Sequence, residues 1–313
     1  MQSFVQSKFR RAFRIFAASF ALSFAAWHAA HAAEPESFRG LKVEVVGKGR
    51  AVLMIPGLNS AGETWNETCA ALQADHVQCH IVTLPGFAGV PSAADANKDA
   101  WLADMRDRLL AYVDSRKLRH PVAMGHSLGG FLALQMAIKQ PAAFDRVVIV
   151  DALAFLGAVQ NPSATAESVK PMAEAMRARM QSQDDASYRT GVSAALKGMA
   201  HDPERIETLA TWGKASDRVI TSEAMYEMMT TDLRGELDRI KAPTLVLGAW
   251  AAYAQYGATK ESTAAIYKAQ YAKLAGVRIE MSEGGYHFLM WDDPQWLQSQ
   301  VRGFLDAKPS VTK

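Results

Sequence analysis

The chain has 313 residues, of which 49% are hydrophobic and 21% charged, and its formal net charge is +2 at pH 7. This length is sufficient for one large hydrophobic core with a subsidiary lobe. A nucleic-acid-binding domain would carry a basic patch or stripe, which this near-neutral charge balance does not supply, so we expect no nucleic acid partner.

Residues 1–32 have the pattern of a signal peptide. Their apolar stretch at 15–27 is followed by a small-x-small cleavage pattern and preceded by four basic residues: Lys8, Arg10, Arg11 and Arg14. The stretch is too short for a bilayer-spanning helix of about 20 residues. We therefore expect an exported protein, periplasmic or secreted, that begins near Ala33 and has no stable membrane anchor; retention of the segment as an anchor is the alternative.

Strand and helix patterns alternate over the first half of the remaining chain. Apolar runs predict strands at 41–46, 50–55, 77–84, 121–124 and 146–150. Apolar residues at helical spacing predict helices at 61–73, 98–116 and 130–139. This alternation is typical of an α/β protein with a mostly parallel sheet flanked by helices.

Residues 153–239 contain no strand pattern, and we interpret them as an inserted helical cap. Helices are predicted there at 164–183, 186–199, 203–212 and 222–231. The core would comprise 33–152 and 240–307, followed by a frayed tail at 308–313. Its second part is predicted to contain strands at 243–248 and 277–281, helices at 261–274 and 294–305, and a loop at 282–290.

The pentapeptide GHSLG at 125–129 lies between the predicted strand at 121–124 and the predicted helix at 130–139. In that setting a G-x-S-x-G sequence forms a nucleophile elbow, a sharp turn that lifts the serine hydroxyl clear of the sheet. Side chains at the two glycine positions would collide in such a turn. Ser127 is therefore the predicted nucleophile, in a strained conformation at a helix N-terminus that favours negative charge.

With these features the chain from about Val43 to Leu305 resembles the α/β-hydrolase superfamily, in its capped branch with a helical lid. Further signs of the resemblance are the segments IPGL at 55–58, LPGF at 84–87, PTLVLG at 243–248, GYHF at 285–288 and DP at 293–294. These motifs are specific for the fold. They are less specific for the reaction, because one scaffold hosts many chemistries.

The resemblance implies a histidine base on the loop after the last core strand, a position that His287 matches. A serine hydroxyl is a poor nucleophile near neutral pH and needs such a base. The resemblance also implies two backbone N–H donors that bind the oxyanion. These would belong to Leu128, directly after the nucleophile, and to Leu58, after the second apolar strand.

The catalytic acid is the point at which the sequence departs from the family pattern. Family members usually carry Asp or Glu just beyond the strand at 244–248, but residues 249–257 contain no carboxylate. Some members take the acid from the end of the preceding core strand, where this chain has Asp151, so Asp151 is the predicted third member of a triad. Asp232, Glu261 and a Ser–His dyad assisted by water are the alternatives.

Six aromatic residues are predicted to line a pocket for the acyl or alcohol group. Ligands of open α/β sheets bind at the carboxyl ends of the strands. The loop at 249–257, which lacks the usual acid, is predicted to lie there. Three of the six are on that loop and three are elsewhere: Trp250, Tyr253 and Tyr256, with Phe87, Trp65 and Phe155. Core packing is the alternative explanation for about half of them.

Cys69 and Cys79 are the two cysteines of the chain. In the oxidising compartment of an exported protein, two cysteines favour a disulfide that closes a short loop. Cys69 falls on a predicted helix and Cys79 near the start of a predicted strand. The sequence leaves a disulfide and two buried thiols equally open.

These observations predict an exported serine hydrolase, most simply a carboxylesterase that cleaves small or medium apolar esters through an acyl-enzyme. Its partner would be a small ester-like molecule, with no cofactor and no metal. The same triad could serve C–C bond or lactone hydrolysis, acyl transfer or peptide cleavage. The alternative from another class is a non-catalytic ligand-binding protein of the same fold, which the missing family acid favours.

Overall fold

The computed structural model describes residues 35–307, which contain an eight-stranded sheet. The strands are β1 (Glu36–Phe38), β2 (Leu41–Gly47), β3 (Arg50–Ile55), β4 (Val77–Thr83), β5 (Val122–His126), β6 (Arg146–Val150), β7 (Thr244–Gly248) and β8 (Arg278–Met281). Every residue of β5, β6 and β7 is buried. Burial on both faces is expected of parallel strands that helices cover on either side.

The strand order across the sheet is β1-β2-β4-β3-β5-β6-β7-β8. The pairs β1–β2 and β2–β4 are antiparallel, and all other neighbouring pairs are parallel. Parallel strands end at the same edge of a sheet, so the segments that follow β3, β5, β6, β7 and β8 lie side by side. The predicted α/β fold with a mostly parallel sheet is confirmed.

Ten α-helices accompany the sheet in the described residues. They are α1 (Asn66–Leu72), α2 (Trp101–Ser115), α3 (Leu128–Lys139), α4 (Ala166–Ser182), α5 (Asp185–Leu196), α6 (Pro203–Lys214), α7 (Arg218–Thr230), α8 (Lys260–Gln270), α9 (Leu289–Asp292) and α10 (Pro294–Asp306). Helices α2, α3 and α8 pack in one apolar cluster, and α1 and α10 pack in another. Alternate residues of the central strands belong to the two clusters, as the period of a β-strand requires.

Helices α4 to α7 lie between β6 and β7 in the chain, within residues 153–239, which we call the cap. Helix α7 begins at Arg218 rather than at the predicted 222. The reason is Asp217, whose carboxylate accepts hydrogen bonds from the N–H groups of Val219 (2.9 Å) and Ile220 (3.1 Å) and so caps the helix. The three-residue strand β1 and the short helix α9 were not predicted.

The predicted signal peptide and the predicted tail at 308–313 lie outside the described residues. Contacts group the chain from Pro35 onward into one compact unit, so its division into core and cap domains stays a prediction. Among residues 35–307, no helix combines the length and the apolar character that crossing a membrane requires.

Cys69 of α1 and Cys79 of β4 form a disulfide, with a Cα–Cα distance of 6.1 Å. The bond joins residues ten positions apart and lies in the apolar cluster that contains α1. Of the two alternatives that the sequence left open, the structure has the disulfide.

Candidate active site

Ser127 is the single residue between β5 and α3. Its φ of 52° and ψ of −119° are costly for a residue other than glycine. A Cβ atom at Gly125 would lie 2.1 Å from the carbonyl oxygen of Gly129, and a Cβ atom at Gly129 would lie 2.2 Å from that of Ile55. Both positions therefore require glycine, and the turn has the geometry of a nucleophile elbow.

The loop after β3 passes close to this serine. A Cβ atom at Gly57 would lie 3.3 Å from the Cβ atom of Ser127. In the described part of the chain, the backbone N–H groups of Leu58 and Leu128 donate to no other protein group. Free N–H donors beside a nucleophile are suited to bind the oxyanion of a tetrahedral intermediate.

His287 lies on the loop between β8 and α9, and its Nδ1 atom is 2.6 Å from Oδ2 of Asp151. Asp151 is the first residue after β6. A carboxylate accepts hydrogen bonds, so Nδ1 of His287 carries the proton and Nε2 keeps a lone pair. The imidazole can therefore act as a base through Nε2.

Asp151 is held tightly in this position. Its Oδ1 atom accepts hydrogen bonds from the hydroxyl of Tyr267 (2.6 Å) and from the N–H of Ala249 (2.7 Å). Its own N–H donates to the carbonyl of Leu247 at 2.7 Å. These contacts stabilise a backbone conformation with a φ of 47°, which a non-glycine residue rarely adopts.

His126 supports the loop that carries His287. It is fully buried, the two ring centroids are 4.5 Å apart, and Nε2–H of His126 donates to the backbone carbonyl of His287 at 3.0 Å. Burial lowers the pKa of His126 well below its ordinary value, and the neighbouring His287 lowers it further. His126 therefore stays neutral. Because it directly precedes Ser127, its hydrogen bond holds the loop of His287 next to the elbow.

The hydrogen bonds among residues 35–307 do not include one from the Ser127 hydroxyl to His287. The two residues are connected through His126, which precedes the serine and contacts the imidazole. In ligand-free sites, hydrogen bonds between a nucleophile and its base are often long, and they shorten when substrate binds.

A family model for the alpha/beta hydrolase family matches residues 52–298. The chain belongs to the alpha/beta hydrolase family. The matched range runs from β3 into α10, so it includes the elbow, Asp151 and the loop of His287.

Two relatives and one solved structure show how far the similarity extends. An uncharacterized protein of Mycobacterium tuberculosis is 26% identical over 84% of this chain and 77% of its own length. A pimeloyl-[acyl-carrier protein] methyl ester esterase of Nitrosospira multiformis is 24% identical over 66% of this chain and 78% of its own length. The crystal structure of an enol-lactonase from Burkholderia xenovorans aligns with a TM-score of 0.66 and 17% identity over 88% of this chain and 100% of that chain.

The family fold does not bring three of the predicted pocket residues together. Phe87, Trp65 and Phe155 are each fully buried and belong to three different apolar clusters. Trp65 packs with α1 and α10, whereas Phe87 packs with α2, where its ring centroid lies 5.1 Å from that of Trp101. The sheet separates these two clusters, so Trp65 and Phe87 lie on opposite faces of it.

The other three predicted pocket residues follow β7. The indole N–H of the half-buried Trp250 donates to the carbonyl of Ser282 at 3.0 Å. Burial of the phenol oxygen and the charge of Asp151 raise the pKa of Tyr253, although 53% of this residue is exposed. Tyr256 is 80% exposed.

The alternative acids lie elsewhere. Asp232 binds Arg234 with an Oδ2–Nη2 distance of 2.7 Å, and Glu261 is exposed on the first turn of α8. In the described residues, neither carboxylate bonds to His287. The geometry therefore favours Asp151 as the acid.

Sequence analysis did not identify Tyr267, which lies on α8 and reaches Asp151 across 116 positions of the chain. No motif surrounds it. The one indirect signal is the missing carboxylate at 249–257. If the acid lies at the end of β6 instead, other residues must form hydrogen bonds with it there.

Proposed function

We propose that this protein is a serine carboxylesterase that cleaves small or medium apolar esters through an acyl-enzyme at Ser127. The main support is the 2.6 Å hydrogen bond between Nδ1 of His287 and Asp151, on a loop that His126 ties to the elbow. This bond sets the imidazole tautomer that a serine nucleophile requires. The esterase name of the Nitrosospira relative agrees with the proposal.

The reaction follows from the positions of these groups. The hydroxyl of Ser127 attacks the ester carbonyl while Nε2 of His287 takes its proton, and Asp151 stabilises the imidazolium. The N–H groups of Leu58 and Leu128 bind the oxyanion. The imidazolium then gives its proton to the leaving alcohol, and a water molecule, activated by the same histidine, hydrolyses the acyl-enzyme.

The charge of the cap supports a neutral substrate. Residues 153–239 contain ten Lys and Arg against thirteen Asp and Glu. Several of the arginines are already paired with carboxylates, among them Arg177 with Glu223 and Arg234 with Asp232. A surface without excess positive charge does not attract anionic substrates. We therefore propose neutral apolar esters rather than esters on an acidic carrier.

We also propose that the protein is exported to the periplasm or secreted. The disulfide between Cys69 and Cys79 supports this proposal, because disulfides persist mainly in oxidising compartments. N-terminal sequencing of the protein recovered outside the cytoplasm tests it, and a mature chain that starts near Ala33 is expected. An intact N-terminus would contradict the proposal.

Labelling by a fluorophosphonate tests the serine chemistry. The wild type is expected to gain one phosphonyl group on Ser127 and to hydrolyse p-nitrophenyl esters. Ser127→Ala should lose both properties, whereas Ser163→Ala, a change at an exposed cap position, should keep both. A folded wild type that neither labels nor hydrolyses any ester of the series would favour the non-catalytic, ligand-binding alternative.

A further inference from the structure

Helix α8 and Tyr271, the residue directly after it, hold the segment that follows β6 through three buried polar side chains. Gln270 accepts a hydrogen bond from the N–H of Phe155 (2.9 Å) and donates one to its carbonyl (3.0 Å). The hydroxyl of Tyr271 donates to the carbonyl of Ala152 at 2.9 Å. Gln270 and Tyr271 thus fix the backbone beside Asp151, whereas Tyr267 binds its carboxylate directly.

The contact from Tyr267 is a hydrogen bond to a buried anion. Its hydroxyl lies 2.6 Å from Oδ1 of Asp151, and the residue is 5% exposed. Burial and the charge of Asp151 raise the pKa of the Tyr267 phenol well above its usual value, so the phenol keeps its proton. Hydrogen bonds to a charged group are about twice as strong as those between neutral groups.

We infer that Tyr267 is a positioning residue, which orients the carboxylate of Asp151 and acts through it on the imidazole of His287. The inference rests on the proposed function. The hydroxyl of Tyr267 and the N–H of Ala249 both bind Oδ1, so Oδ2 is directed at the imidazole. A donor on Oδ1 stabilises the carboxylate and so reduces its attraction for the imidazolium.

Three titratable groups next to this pair do not change charge near neutral pH. Burial raises the pKa values of Tyr271 and Tyr253, so both phenols stay protonated. Burial lowers the pKa of His126, so that ring stays neutral.

Tyr267→Phe tests the inference, with Tyr271→Phe as the matched control. Both changes remove one hydroxyl from a buried tyrosine near the C-terminal end of α8, but only that of Tyr267 binds the carboxylate. Tyr267→Phe is expected to move the acidic limb of the kcat/KM profile upward by about half a pH unit. It is also expected to lower kcat about tenfold. Tyr271→Phe should leave the limb in place.

A second variant keeps the test valid if Tyr267→Phe folds poorly. Replacement of Tyr267 by 3-fluorotyrosine keeps the shape of the ring and makes the phenol a stronger donor. The acidic limb and the pKa of His287 measured by NMR should then both move downward. Unchanged values in both Tyr267 variants would overturn the inference. The NMR titration needs no turnover, so it tests the role of Tyr267 even if the proposed function is wrong. An active Ser127→Ala would show separately that the proposed function is wrong.

Discussion

At the scale of single residues, the carboxylate of Asp151 contacts His287 although one strand of the sheet separates the strands that precede them. The sheet places β7 between β6 and β8, and Ala249 is the first residue after β7. Its side chain is a methyl group and its N–H binds Oδ1 of Asp151. Asp151 therefore reaches across the end of β7 to the imidazole beyond it.

Replacement of Asp151 by Asn is expected to lower kcat by about 10⁴-fold, because an amide cannot hold the proton on Nδ1 of His287 as a carboxylate does. Steady-state kinetics with a p-nitrophenyl ester measure this loss. Asp232→Asn is the control, since Asp232 pairs with Arg234 and not with His287. Near-normal turnover of Asp151→Asn, with loss in Asp232→Asn, would assign the acid to Asp232.

At the scale of elements, residues at the start of α7 form hydrogen bonds with two loops of the core. The hydroxyl of Thr221 lies 2.6 Å from Oδ1 of Asn59, the residue after Leu58. The N–H of Asp217 donates to the carbonyl of Gly86 at 2.7 Å, and its carboxylate accepts from Ser92 at 2.9 Å. The loop that contains Leu58 is therefore bound to the cap.

Thr221→Val is expected to lower kcat about three- to tenfold, the effect of one neutral hydrogen bond, because the loop of Leu58 loses its support from α7. KM should change less than kcat, since the donor acts mainly on the oxyanion. Thr230→Val is the matched control, because that hydroxyl bonds within α7 to the carbonyl of Tyr226. Equal kinetic effects of the two substitutions would argue against the coupling.

At the scale of the whole molecule, hydrophobic periodicity and short motifs were sufficient to predict most of the fold. Buried strands, amphipathic helices and the two elbow glycines are local patterns, so the sheet, the cap helices and the position of Ser127 could be read from the sequence. Asp151 and His287 followed from where strands end in this family, and the structure brings their side chains together.

Other features depend on contacts between distant segments, which local patterns do not encode. Tyr267 meets Asp151 through the packing of α8 on the sheet. Trp65 and Phe87 lie on opposite faces of the sheet, which their aromatic character alone does not indicate. To predict the disulfide, one must know the distance between α1 and β4, which a sequence does not give.

A crystal structure of the fluorophosphonate adduct tests the assembled site most directly. The account predicts a bond from phosphorus to Oγ of Ser127, with the phosphonyl oxygen about 3 Å from the N–H groups of both Leu58 and Leu128. Nε2 of His287 should lie within hydrogen-bond distance of Oγ while Nδ1 remains on Asp151. An adduct on another residue, or a phosphonyl oxygen that contacts neither amide, would contradict the account.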